Sequence, residues 1–342
     1  MRIAPQSIVM KTLLGLSLLA LVAVDAAGVC ASAQTYPTRP VTFVVPFAPG
    51  GGTEFLARLL GQRLEQRLGK PFVIENRPGG GGMTGALSVA RAAPDGYTIL
   101  MAPSPVMAIN VALHKKLPYD PAVDFVPVAL VVATPYVLVV TPSLSVQSVA
   151  DLVKLAKARP GQLAFASAQL AFASAGLGTP HHLFAQLFKG MTGVEMTHVP
   201  YRGSVPALTD VAAGHVQLMF CDIPPALGLI NEGKVRALGV STKERVAALP
   251  DLASLAEQGL ADFDAASWQM VAAPAATPKD IVERLHAEIK DFMVQPEIKD
   301  HAFKMGLLPI DTPSVASLRV FVQTEITRWG KVVEQAGIAG SQ

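Results

Sequence analysis

VTFVVPFAPGGGTE, residues 41–54, joins an apolar run typical of a buried strand to a glycine-rich turn and an acidic helix start. Glycines lack a Cβ and allow backbone N–H groups to turn toward a ligand, and the first turn of a helix adds unsatisfied N–H donors at the positive end of its dipole. This stretch therefore predicts an anion-binding loop at the end of a strand. The alternative is a simple tight turn in which Thr53 or Glu54 only caps the helix.

The first 33 residues have the pattern of a secretory signal peptide. Arg2 and Lys11 supply the positive start, residues 12–24 form an uncharged apolar core, and residues 31–33 (ASA) match a small-residue cleavage site. We expect an exported protein whose mature chain begins at Gln34. A retained membrane anchor is the alternative, although this apolar core is shorter than the roughly 20 residues that span a bilayer.

Charge and cysteine content exclude several classes of partner and fold. Cleavage after residue 33 leaves a net charge of about +1, which argues against nucleic acid and anionic membrane as partners. It also removes Cys30 and leaves Cys221 alone, so an exported chain must be stabilised by its core rather than by a disulfide. A mature chain of about 300 residues suits two lobes better than one.

Apolar runs alternate with helical patterns along the rest of the chain, which indicates parallel α/β units. Strands are predicted at residues 41–47, 72–74, 98–101, 126–140, 163–174, 196–199, 216–220, 235–240 and 267–273. Helices are predicted after the glycine loop to Leu68, at residues 85–91, 149–158, 180–188 and 205–213, and after caps at Thr277 and Ser314. Residues 126–140 exceed an ordinary strand, so this run and residues 267–273 are predicted to cross between lobes.

An internal repeat precedes one of the predicted ligand loops. LAFASAQ at residues 163–169 is followed at once by LAFASAG at residues 170–176. Because seven is odd, matching residues of the two copies would face opposite sides of one continuous strand. We expect one copy to keep the core register and the other to bulge or loop out.

The glycine cluster GGGMTG at residues 80–85 satisfies the dinucleotide-binding pattern G-x-G-x-x-G. However, no acidic residue follows about twenty positions later, where the ribose partner belongs, and the cluster follows the second predicted strand rather than the first. We therefore interpret it as a flexible turn and predict no cofactor.

Candidate metal and catalytic residues have simpler explanations. His181 and His182 are adjacent, so on a helix they point about 100° apart and are poorly placed to chelate one metal ion. Cys221 is interpreted as a buried thiol and Ser204 as a helix cap. No metal or catalytic residues are predicted. An exported hydrolase stays open as an alternative, because catalytic groups can meet in space rather than in sequence.

Two further strand-to-helix turns, at residues 176–180 (GLGTP) and 201–204, have the same chemistry as the first glycine loop, and three such turns could face one crevice. Three further motifs occur in a fixed order along the chain: PFAPGG (46–51), ENRPG (75–79) and PYRGS (200–204). Together with these turns, that combination is specific enough to indicate one protein family. The chain resembles the solute receptors of tripartite tricarboxylate transporters, the Bug family of periplasmic binding proteins.

The resemblance implies an α/β, two-lobed, type II periplasmic-binding-protein fold with two interlobe crossings. Lobe I would comprise residues 34–135 plus 265–342, and lobe II residues 136–264. The implied function is a periplasmic, monomeric receptor without cofactor that closes on a small organic carboxylate and delivers it to membrane permease subunits. A receptor that reports its ligand to a two-component sensor is the alternative.

In the family, the carboxylate is held by main-chain donors and water rather than by a salt bridge. The positions that the resemblance implies as ligand-binding are Phe47, Ala48, Gly51, Gly52, Thr53, Ser104, Ala175, Gly176, Thr179, Tyr201 and Asp222. The chain departs from the family pattern at three places. Glu54 replaces the usual Asp, Met83 and Thr84 replace Asn-Ile, and Cys221 and Asp222 replace Asp-Asn, which moves a carboxylate by one residue at the cleft wall.

Overall fold

The computed structural model describes residues 36–49, 52–158, 170–304 and 306–342. The chain divides into two units, Met1–Thr38 and Arg39–Gln342. In the first unit, the described residues are Tyr36, Pro37 and Thr38, and the Tyr36–Pro37 peptide bond is cis. The predicted signal peptide and the first copy of the repeat lie outside the described residues, and the elements given below belong to the second unit.

Strands and helices alternate along the second unit, as the apolar pattern predicts. The strands are β1 Val41–Val45, β2 Phe72–Asn76, β3 Thr98–Pro103, β4 Phe125–Val140, β5 Leu170–Ser174, β6 Met196–Pro200, β7 Leu218–Asp222, β8 Arg236–Val240, β9 Ala266–Pro274 and β10 Leu308–Pro309. The helices are α1 Gly52–Leu68, α2 Met83–Ala90, α3 Asn110–Leu113, α4 Val149–Ala158, α5 Pro180–Thr192, α6 Ser204–Ala213, α7 Ile223–Asn231, α8 Lys279–Met293, α9 Pro296–Lys304 and α10 Val315–Gln335.

The described strands form one sheet with two parallel regions on either side of an antiparallel centre. Its order is β2-β1-β3-β9-β4-β7-β5-β6, and β8 and β10 also pair with β4. Strand β1 runs parallel to β2 and β3, and β5 runs parallel to β6 and β7. Strands β4 and β9 run antiparallel to each other, β9 runs antiparallel to β3 of the first region, and β4 runs antiparallel to β7 of the second. The predicted α/β class is confirmed.

Strand β4 belongs to both regions of the sheet. It is 16 residues long and continues through Thr134 and Pro135. Pro135 lies opposite Ala266 of β9, whereas the next residue, Tyr136, lies opposite Asp222 of β7. Thr134 and Pro135 therefore mark the point where the strand changes partners, and the strand continues without a break. This is the behaviour expected of a crossing between two halves.

The core is continuous from the sheet to the C-terminal helix. Phe184 of α5 stacks on Trp329 of α10 with ring centroids 5.6 Å apart, and Phe220 of β7 stacks on Phe263 at 5.7 Å. All four side chains are almost fully buried. Helix α10 begins after Ser314, whose hydroxyl accepts a hydrogen bond from the Ser317 N–H, so the predicted cap is confirmed.

The start of helix α8 differs from the prediction, and one further helix was not predicted. Helix α8 begins at Lys279 with Pro278 as the N-cap residue, and the hydroxyl of Thr277 is buried without a hydrogen-bond partner among the described residues. Val282 is buried in its apolar stripe, whereas Ile281 is only partly buried. Helix α7 was not predicted, because Pro224 and Pro225 suggest a loop. Proline is tolerated there because the first turn of a helix needs no N–H donor.

Candidate functional site

A cavity of about 540 Å³ lies where several strands reach their carboxyl ends. Phe47, Gly52 and Thr53 line it from the segment after β1, and Thr179 and His181 line it from the segment after β5. The antiparallel strands contribute Thr134 and Tyr136 from β4 and Ser267 and Gln269 from β9, and Asp222 ends β7. Residues from both parallel regions of the sheet, and from the strands that join these regions, thus line the cavity.

The first wall is the beginning of helix α1, a helix of 17 residues. Gly52 is its first residue, and a Cβ placed there would meet no described atom within 4 Å. The side-chain amide of Gln269 donates a hydrogen bond to the Thr53 hydroxyl at 3.2 Å. The other amide atom of Gln269, Oε1, is buried and has no partner among the described residues. This wall therefore combines a helix start with a fixed hydroxyl group.

The charge of Glu54, which follows this wall, is paired rather than directed at the cavity. Its carboxylate is buried and accepts hydrogen bonds from the Arg58 guanidinium one turn later on the same helix. A glutamate in the first turn also suits the positive end of the helix dipole. The departure from the family pattern at this position is therefore accommodated locally.

The opposite wall holds a histidine and an ionised carboxyl group. His181 Nε2 lies 3.0 Å from Asp222 Oδ2, and the His181 ring packs edge-on against Tyr136 with centroids 5.0 Å apart. Burial acts to raise the pKa of Asp222, but the attraction and hydrogen bond of His181 outweigh it, with smaller contributions from the neighbouring hydroxyl groups of Ser204 and Tyr136. The resulting pKa of Asp222 is about 2, so the group is ionised at neutral pH.

Ser204 lies beside this wall without the predicted capping role. It is the first residue of α6, and the N-cap position belongs to Gly203. The Ser204 hydroxyl is buried and makes no hydrogen bond within the described residues. Cys221 is a buried free thiol, as predicted. Ser204 therefore adds to the cavity a buried hydroxyl group that is a neighbour of the Asp222 carboxyl group, and Cys221 is not part of the lining.

The loop after β5 is held by its own hydrogen bonds. The Thr179 hydroxyl donates to the Gly176 carbonyl at 2.7 Å, and the Gly176 N–H donates to Ser174 Oγ at 3.1 Å. Gly176 has φ of 131°, a conformation that side-chain-bearing residues rarely adopt. The Gly178 N–H donates to Nδ1 of His182 at 3.1 Å. The loop thus presents a defined shape to the cavity.

Both histidines of the 181–182 pair are buried at the start of α5, and they have different roles. His181 lines the cavity, whereas His182 stacks on His198 with ring centroids 4.0 Å apart. Burial lowers the pKa of His182 to about 3, assisted by the charges of His198 and Lys189, and it lowers the pKa of His198 to about 4. Within the described ranges, no cluster of three or more His, Cys, Asp or Glu side chains is arranged to hold a metal ion.

The structure brings five of the predicted ligand-binding residues to the cavity, namely Phe47, Gly52, Thr53, Thr179 and Asp222. Ser104 lies behind the lining, where its hydroxyl bonds that of Ser267 at 2.9 Å. Ala48, Ala175, Gly176 and Tyr201 do not line the cavity, and Gly51 lies outside the described residues. The Tyr201 hydroxyl instead donates to Asp210 at 2.7 Å, and burial, with Asp210, raises the pKa of Tyr201 to about 12.

Sequence reasoning missed most of the polar lining. The missed polar residues are Asn110, His114, Thr134, Tyr136, His181, Ser204, Ser267, Gln269 and Gln342. One signal was present: Ser267 and Gln269 are polar at alternate positions of an otherwise largely apolar strand, which places both on one face. Comparable signals are missing for the others, because strands and helices distant in sequence bring them together.

No helix among the described residues is both long and apolar enough to cross a membrane. Residues 56–338 match the model of the tripartite tricarboxylate transporter family receptor, TctC. Protein BugT from Bordetella pertussis is 37% identical over 315 residues, which are 91% of this chain and 94% of that protein.

Solved structures show the same relationship. The R. palustris protein Rpa4515 with adipate is 40% identical, with a TM-score of 0.78 over 89% of this chain and 99% of that one. MatC from Rhodopseudomonas palustris with bound malate is 34% identical, with a TM-score of 0.73 over 87% and 100% of the two chains. The resemblance and the periplasmic-binding-protein fold that it implies are thus confirmed. The chain belongs to the tripartite tricarboxylate transporter receptor family, a family of periplasmic solute-binding receptors.

Proposed function

We propose that this protein captures a small organic carboxylate in the cavity beside α1 and delivers it to the membrane permease subunits of a tripartite transporter. The observation that carries the proposal is the first wall, where Gly52 and Thr53 begin a long helix at a cavity lined by apolar residues and a smaller number of polar ones. None of the described residues that line the cavity is Lys or Arg. Two relatives whose structures contain adipate and malate support the same ligand class.

The chemistry of this wall suits a carboxylate without a salt bridge. The first N–H groups of a helix have no partner within the helix, and they lie at the positive end of its dipole. Because Thr53 Oγ1 already accepts the hydrogen bond of Gln269, its own proton is oriented away from that partner and is available for a ligand oxygen. Backbone donors and one hydroxyl group would then satisfy the carboxylate.

Closure is proposed to occur between lobe I, residues 34–135 plus 265–342, and lobe II, residues 136–264. The change of strand partners between Pro135 and Tyr136 supports this boundary. A solute that touches residues of both lobes would stabilise the closed form, since only that form makes both sets of contacts. The proposal includes export with removal of residues 1–33 and a monomeric mature protein.

The test is native mass spectrometry of the exported protein, followed by a thermal-shift screen of organic carboxylates with the corresponding amides as controls. The intact mass reports signal-peptide removal, oligomeric state and any retained ligand. A carboxylate at a hundred times its dissociation constant should stabilise the protein by about 2.7 kcal/mol, whereas its amide should not. If no carboxylate raises the melting temperature, the proposed function is wrong.

A further inference from the structure

The far wall of the cavity carries a carboxylate that is partly open to the cavity. Asp222 Oδ2 accepts from His181, and the hydroxyl groups of Ser204 and Tyr136 are neighbours of the same carboxyl group. The Asp222 side chain is 29% exposed, and Asp222 is part of the cavity lining. A carboxylate oxygen in this position favours a hydrogen-bond donor on whatever occupies the cavity.

The surroundings leave the negative charge of Asp222 in place. Within the described lining, the other titratable side chains are Tyr136, His114 and His181. His181 uses Nε2 toward Asp222, while its Nδ1 is buried and has no partner among the described residues. Nε2 therefore carries the hydrogen that bonds Asp222, and no Lys or Arg side chain belongs to the described lining.

This acceptor is well separated from the proposed carboxylate site at α1. Gln269, which bonds Thr53, lies opposite Val132 of β4, and Asp222 lies opposite Tyr136 of the same strand. Four residues of an extended strand cover roughly 13 Å. The two ends of the cavity therefore contact different parts of a solute, and each can select its own chemical group.

We propose that Asp222 selects carboxylates whose far end carries a hydrogen-bond donor, an ammonium or hydroxyl group, and rejects those that end in a second ionised carboxylate. The inference rests on the proposed function and names the solute class for the same site. A donor at the far end would form a charge-assisted hydrogen bond with the Asp222 carboxylate. A second carboxylate would be repelled by Asp222 and would leave both groups without a donor in a partly desolvated site.

Two matched ligand series test the inference by isothermal titration calorimetry. The six-carbon series is 6-aminohexanoate, 6-hydroxyhexanoate, hexanoate and adipate, and the four-carbon series is 4-aminobutanoate, 4-hydroxybutanoate, butanoate and succinate. In at least one series, a donor-bearing member should bind the unmodified protein at least about tenfold more tightly than the dicarboxylate. Comparison of the amino and hydroxy members of a series shows whether an ammonium group or a hydroxyl group is the preferred donor.

The variant Asp222→Asn removes the charge at nearly constant volume, and Asp262→Asn removes an exposed charge away from the cavity as a control. Asp222→Asn should reduce the preference for a donor and improve dicarboxylate binding by about tenfold, whereas Asp262→Asn should change neither. The ranking of ligands by the unmodified protein tests the inference even if Asp222→Asn is unstable. Equal or tighter binding of the dicarboxylate, or no binding by any donor-bearing member, would overturn the inference. The proposed function falls only if the wider carboxylate screen is also negative.

Discussion

Trp268 donates its indole N–H to the buried carboxylate of Glu325, with 2.7 Å between Nε1 and Oε2. The same oxygen accepts the indole N–H of Trp329 at 2.9 Å, and Arg328 lies 3.4 Å from the other oxygen. Trp268 belongs to β9, whereas Glu325 and Trp329 belong to α10. One carboxylate therefore joins strand β9, which contributes Ser267 and Gln269 to the cavity lining, to the C-terminal helix.

Replacing Glu325 should test how much this contact stabilises the fold. Glu325→Ala leaves two buried indole N–H groups without an acceptor, which should lower the free energy of unfolding by roughly 2–5 kcal/mol. Glu325→Gln keeps one acceptor oxygen and should cost clearly less. Urea unfolding of the three proteins measures the difference. Equal stability of the alanine and glutamine variants would show that the hydrogen bonds to the indoles contribute little.

Gly52→Val should abolish carboxylate binding while the fold is retained. The added side chain would stand at the start of α1 in the cavity wall, and no described atom lies within 4 Å of its Cβ. Gly190→Val is a matched control, because Gly190 also lies in a helix with open space around a Cβ and is outside the cavity lining. Calorimetric titration should show lost binding only for Gly52→Val. Retained affinity would show that the loop is a connector and not a ligand site.

The stacked histidines should make the free energy of unfolding depend on pH. This dependence should appear at pH values above those at which most carboxyl groups titrate. The pKa values of His182 and His198 are about 3 and 4 when folded, below the ordinary value of 6.5. Between about pH 6.5 and 4.5 the unfolded chain therefore binds more protons, and stability should fall as the pH falls.

His198→Phe should make this decline shallower, because it removes one of the two titrating groups and keeps an aromatic ring stacked on both Phe172 and His182. Its melting temperature at pH 7 is not the readout, since the variant also loses the hydrogen bond between His198 and Ser174. Melting temperatures at several pH values for both proteins give the slopes. Identical slopes would show that His198 does not contribute to the acid sensitivity.

Deletion of either repeat copy tests the role of the duplication. Removing residues 163–169 keeps the copy that forms β5 and keeps Gly176 in its turn, so the melting temperature should change little. Removing residues 170–176 instead places Gln169 at the position of Gly176, where φ is 131°. That deletion should be less stable by about 1–3 kcal/mol because the backbone there favours glycine. A collapse of stability in both deletions would show that both copies are part of the core.

The parts of the fold that local patterns determine were predicted, and those that depend on tertiary context were not. The apolar run of β4 and the glycine loop before α1 are both visible in short windows of sequence. Helix α7 escaped prediction because its two prolines are compatible with a loop as well as with a helix start. Similarly, the Thr277 cap failed because the chain turns one residue later than the pattern suggests.

The candidate site divides in the same way. Gly52 and Thr53 could be predicted because a strand, a glycine turn and a helix follow one another directly. In contrast, Gln269 reaches Thr53 from 216 residues away, and His181 reaches Asp222 from 41 residues away. Such contacts depend on which strands become neighbours in the sheet, and no short segment specifies that order.

The shared carboxylate of Glu325 gives the protein an intrinsic optical reporter. Trp268 and Trp329 are the two tryptophans of the whole chain, so essentially all ultraviolet emission excited near 295 nm comes from indoles that donate to one carboxylate oxygen. Trp268 is also flanked in sequence by Ser267 and Gln269 of the cavity lining. The proposed capture of a solute in this cavity should therefore change the colour and yield of native fluorescence, which can be measured without attaching a dye.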